Sequence, residues 1–279
     1  MTNFKRAELT FEQAEAAAPL PSQMALKTVH PRLRARLWDA IYTEARSEME
    51  AHRLNNRLGE VWKKLSRKYA VERLNKLADQ LEGTHDEFVE MIKPAFESNN
   101  YIRTLGVTEW IARHSINKDL AKAVERILRE EQCAYRLIDG SIIPIASEEE
   151  GAAILAAAIS LNAPGFGGAK QHLLKAGSLL TASHYADSIR ESIHAVESVA
   201  RTLTEEASLL NALKALSKKH PMHPALEKGF NSIYGYTSDA NGVRHPIVGD
   251  DGPLAGEDEA IFMLGACASF VTYLLRIGK

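Results

Sequence analysis

Arg244 and His245 are the adjacent side chains in this 279-residue chain whose types come nearest to a reaction centre. An imidazole with an ordinary pKa near ~6.5 exchanges a proton at neutral pH, and a guanidinium fork matches the oxygens of a phosphate. Metal-free cleavage of RNA needs a base for the 2′-hydroxyl, a cation for the crowded phosphate and an acid for the leaving oxygen. His245 and Arg244 suit two of those tasks. Neighbouring side chains diverge in helical or extended backbone, so this pair meets one substrate only in a turn or across a dimer interface. Asn241-Gly242 is a turn dipeptide. Tyr234 and Tyr236 can stack on a base, and with Ser238, Asp239 and Asn241 they form the candidate substrate-binding set. The same residues also fit a structural staple, in which Ser238 and Asp239 close a turn and Arg244 pairs with Asp239 or Glu197.

Glu191 is the third candidate catalytic residue. It stands in the run Ser188-Ile-Arg-Glu-Ser-Ile-His-Ala-Val-Glu197, where small and acidic side chains share one helical face, and it is expected to orient His245 or Arg244. The bland reading is a solvated helix edge. The other histidines suggest no metal site: His220-Pro-Met-His223 lies at a turn without carboxylates, and His172 and His184 are isolated on their helices. No metal and no cofactor is expected. With only Cys133 and Cys267, neither a disulfide framework nor a zinc cluster is indicated.

The elements that must position these residues are almost all helical. Leu33, Leu37, Trp38, Ile41 and Tyr42 recur at three- and four-residue spacing behind Pro31, and Val61 to Leu81 continues the pattern up to Gly83 as one helix or a bent pair. Thr84 and Asn117 are predicted N-caps, and Ser147 with Glu150 forms a predicted capping box. The one β signal is a hairpin over residues 134–145 around Asp139-Gly140, with Pro144 on an edge. Helices are predicted roughly over 169–181, 185–203, 205–218, 224–234 and 257–277. The fold class is therefore mainly α in two helical domains: residues 1–162, a Gly-rich linker at 163–168, and a C-terminal bundle over 169–279.

Composition excludes several alternatives. Hydrophobic content of 45% and charged content of 25% are those of an ordinary globular chain. The first residues lack the apolar core of a secretory signal, and the apolar run Ala260 to Leu275 is read as a buried helix rather than a membrane span. Its small residues Gly265 and Ser269 invite close approach by another helix. A cytoplasmic protein without membrane contact is expected. Residues 27–76 hold 13 Lys/Arg against 6 Asp/Glu, whereas 77–165 hold 8 against 15. The basic stretch reads either as a nucleic-acid-facing helix or as a face laced with ion pairs, the second being favoured.

Leu33-Arg-Ala-Arg-Leu-Trp38, Tyr135-Arg-Leu-Ile-Asp-Gly-Ser-Ile-Ile-Pro-Ile145, Ser188 to Ser198, Tyr234-Gly-Tyr-Thr-Ser-Asp239 with Gly242-Val-Arg-His245, and Glu259-Ala-Ile-Phe-Met263 together resemble the AbiJ-type abortive-infection proteins of phage defence. The resemblance implies a C-terminal domain of the HEPN type, a class of helical bundles that includes metal-independent ribonucleases pairing an Arg with a His. Here that Arg and His are adjacent and Pro246 follows them. The implied function is a phage-defence effector, a metal-independent endoribonuclease or RNA-binding protein acting as a homodimer with Arg244 and His245 at the joint. The alternative is a non-enzymatic helical sensor or protein-interaction module of a defence or toxin–antitoxin system.

Overall fold

The computed structural model describes residues 11, 15, 23–51, 55–145, 147–220, 222–239 and 255–278. Among them it holds eleven α-helices and one two-stranded hairpin, the mainly α class that the periodicity predicts. By packing, the chain divides into two units, Met1–Gly140 and Ser141–Lys279.

The first unit carries α1 (Pro31–Ala51), α2 (Glu60–Leu74), α3 (His85–Glu97), α4 (Tyr101–His114), α5 (Lys118–Glu130) and strand β1 (Tyr135–Ile138). Leu33, Leu37, Ile41 and Ala45 of α1 are fully buried, each apolar side chain of leucine size contributing about 1.5–3 kcal/mol. Trp62 packs edge-on to Phe88, and Tyr69 edge-on to Trp110. The predicted caps form: Thr84 accepts from the Glu87 amide and Asn117 from the Asp119 amide. Helix α2 stops earlier than its apolar pattern, because Asn75 turns left-handed at φ 53° and its amide closes on the Ala70 carbonyl, as asparagine tolerates better than most residues.

Part of the basic stretch is engaged in ion pairs and caps. Arg36 bridges Glu130 and Glu131 at the end of α5, with Arg32 adding a second guanidinium to Glu131 at 3.1 Å. Arg34 donates to the carbonyls of Phe96, Glu97 and Ser98, satisfying the exposed C-terminal end of α3.

The second unit contains β2 (Ser141–Pro144), α6 (Glu148–Ser160), α7 (Gly167–Thr181), α8 (Tyr185–Thr204), α9 (Leu209–Lys219), α10 (Pro224–Asp239) and α11 (Glu257–Ile277). Asp139 and Gly140, both at positive φ, make the tight turn between β1 and β2, and the packing division falls at that turn. Ser147 caps α6 by accepting from the Glu150 amide. The Gly-rich stretch at 163–168 is short: Gly165 turns at φ 92°, and Gly167 and Gly168 already belong to the first turn of α7. Helix α11 is the spine of this unit, packing on α6, α7 and α8. It is long and apolar enough to cross a membrane, and 61% of its most apolar window is buried within the protein. The close approach expected at Gly265 is made by α6, whose Glu150 side chain lies against it.

Candidate functional site

Helices α7 and α8 form an antiparallel hairpin, turned by Ser183 at φ 62°. Ala176 of α7 and Ser188 and Ser192 of α8 are buried. The Ser188 hydroxyl donates to the Ala176 carbonyl at 2.8 Å, so the two backbones lie close and the longer side chains along the same seam are brought together. That seam carries His172 and Lys175 from α7 and Glu191 and His194 from α8.

Glu191 is the centre of the group. Its carboxylate accepts from His172 Nδ1 at 2.6 Å on one oxygen and from Lys175 Nζ at 2.6 Å on the other. The side chain of Glu191 is only 11% exposed, against 40% for His172 and 62% for Lys175. Burial pushes the Glu191 carboxyl up, but the hydrogen bonds and positive charges of Lys175 and His172 outweigh it and hold the group below the ordinary carboxylate range. The imidazole of His194 meets that of His172 edge-on, ring centres 5.3 Å apart. One ligand atom from each of His172, Glu191 and His194 lies within 4.8 Å of the others.

The two histidines also line an open cleft of about 730 Å³, walled further by Glu197, Ser198, Arg201 and Glu205. Its carboxylates make it a place for cations rather than for a polyanion.

The predicted site residues are distributed as follows. Glu191 is buried and engaged with His172 and Lys175, not at a solvated edge. Tyr236, on the last turns of α10, is exposed, whereas Tyr234 is half-buried. Ser238 and Asp239 end α10. Asn241, Arg244 and His245 lie outside the described residues. Phe230 of α10 stacks on Phe270 of α11, ring centres 3.6 Å apart. Burial raises the Tyr236 phenol, and the nearby Glu259 carboxylate at the start of α11 adds to the rise.

Sequence reasoning took His172 as isolated and missed its convergence with His194. A signal was present: Glu191 and His194 are three apart and share a helical face, the Glu-x-x-His pattern by which helices offer two ligands at once. The partner on α7 had no local signal, being 19 residues away from Glu191. Neither cysteine competes as a nucleophile, since burial raises Cys133 to about 11 and Cys267 to about 12, leaving both as thiols at neutral pH.

Residues 9–159, a little over half of the chain, match the family model described as AbiJ N-terminal domain 4. No curated protein and no solved structure matches the chain.

Proposed function

From the premise that the chain belongs to the AbiJ family through its N-terminal domain 4, which associates it with abortive infection and phage defence, we propose a cytoplasmic defence effector that binds and cleaves RNA. Its reacting groups are Arg244 and His245, carried by a HEPN-like second unit that works as a homodimer. The observation that carries the reading is the exposed ring of Tyr236 near the end of α10, which can stack on a base. His245 takes the 2′-hydroxyl proton, Arg244 holds the phosphate oxygens, and Tyr236 stacks on a base. Side chains supply proton abstraction and charge stabilisation, and solvent water gives the leaving 5′-oxygen its proton, so this route needs no metal. The acidic lining of the α8 cleft argues for placing the nucleic acid beside Tyr236 rather than in that cleft.

The test is cleavage of cellular RNA by purified protein in excess chelator, together with growth arrest on expression. His245→Ala and Arg244→Ala should each lower cleavage by a factor of about 100 or more, the range for loss of a general base or of a phosphate-stabilising group, while circular dichroism and melting temperature stay unchanged. Unchanged cleavage in both variants sinks the catalytic assignment. Folded variants with a lowered melting temperature and full toxicity would instead make the segment a staple, as the interaction-module alternative requires.

A further inference from the structure

His172, Glu191 and His194 are a ligand set that the RNA reading does not use. We propose that they bind one divalent transition-metal ion of the zinc class, clamping α7 to α8.

Three observations carry the site. The donors are two imidazoles and a carboxylate, the mixed N/O set that such ions prefer over calcium or magnesium, which take oxygen ligands. They come from two helices held by a seam of small residues, with Ser188 hydrogen-bonded to the Ala176 carbonyl, so the frame exists before the ion arrives. The ligand atoms already stand within 4.8 Å of one another. A tetrahedral ion with bonds of roughly 2.0–2.1 Å needs its donors about 3.3 Å apart, so the 2.6 Å His172–Glu191 hydrogen bond opens while the wider separations, up to 4.8 Å, close, adjustments that rotation of the part-exposed His172 can deliver.

Without the ion, Lys175 occupies the charge position: its ammonium sits 2.6 Å from Glu191 Oε1. The ion displaces it, and the mostly exposed lysine swings into solvent. His172 and His194 line the α8 cleft, so the remaining coordination position opens there and takes water. Glu197 and Glu205 on the cleft wall draw cations toward it. The inference goes beyond the RNA reading and does not rest on it, since the Arg244–His245 chemistry runs in chelator.

The experiment is calorimetric titration of metal-free, full-length protein with Zn²⁺, and with Co²⁺ as a visible-absorption probe. Wild type should take up one ion per chain and give the d–d bands of a low-coordinate cobalt site. His172→Ala, His194→Ala and the isosteric Glu191→Gln should each weaken binding by a factor of ten or more. Lys175→Met keeps all three ligands and removes the competing ammonium, so it should bind at least as tightly as wild type. No saturable binding by the wild type overturns the site. Binding unchanged in the three ligand variants places the ion elsewhere and also overturns it. Equal loss in Lys175→Met would show that helix packing rather than ligation was measured, which likewise overturns the site. RNA cleavage in chelator is read separately, so either assignment can fail alone.

Discussion

Glu191 shows how one buried carboxylate is made tolerable. It gives up water on entering the α7–α8 seam and recovers two charge-assisted hydrogen bonds, from His172 and Lys175, which an ionised acid requires when little of it meets solvent. Both partners are substantially exposed, so their contribution is discounted for screening. Replacing Glu191 with Gln should lower stability at neutral pH by about 1–2 kcal/mol, measured by urea denaturation. The folded-state carboxyl sits below its unfolded value, so the native state binds fewer protons than the unfolded one. The stabilisation is fully present above the unfolded pKa of about 4.3 and disappears as pH falls through the lower folded value. The gap between wild type and Glu191→Gln should therefore be constant from pH 6 to 5 and close in acid below about 4. A gap that widens in acid would contradict the assignment.

Helix α7 is positioned by a residue that has no side chain. A Cβ placed on Gly177 would lie 2.5 Å from Ile143 Cδ1 and within 2.9 Å of two more of its carbons. Ile143, on β2, is completely buried and cannot swing aside, so the hairpin strand packs against α7 only because that face is bare. The same helix donates a second tie, from the Thr181 hydroxyl to the Ile142 carbonyl at 3.0 Å. Gly177→Ala gains up to about 1 kcal/mol in helix propensity and loses about 1–3 kcal/mol to overpacking, for a net decrease in stability. Ile143→Ala opens a cavity by itself, yet the double variant should be more stable than the sum of the two single changes predicts. Additivity in that cycle would mean that the two residues do not clash. A one-turn shift of α7 would also move His172 and Lys175 away from Glu191, which ties this packing contact to the candidate ion site.

At the scale of the molecule, charge patterning explains what the basic stretch is for. Arg32 and Arg36 neutralise the acidic end of α5, and Arg34 caps α3 inside the first unit. Glu131, 4% exposed, takes Arg36 at 2.7 Å and Arg32 at 3.1 Å. Glu131→Gln should destabilise the first unit by about 1–3 kcal/mol, less than for a fully buried pair because both arginines can turn to water. All three tryptophans, Trp38, Trp62 and Trp110, lie in that unit, so the loss is read as an earlier fluorescence transition in denaturant. An unchanged transition would mean that this pairing adds nothing to the stability of the unit.

Much of this was legible in the order of residues alone. The helical class follows from three- and four-residue periodicity, the caps from Thr84, Asn117 and Ser147, and the hairpin from Asp139-Gly140, because each depends on neighbours a few positions away. The same local rules ran α2 on past Asn75, where a left-handed turn ends it, and left the 19-residue separation between His172 and Glu191 unread. Local chemistry in the sequence determines which segments become helices and where a turn can form. Which helix faces which is decided by the fit of buried surfaces, such as Gly177 under Ile143 or Ser188 under the Ala176 carbonyl. That fit alone made an isolated histidine, a helix-edge glutamate and a second histidine into neighbours.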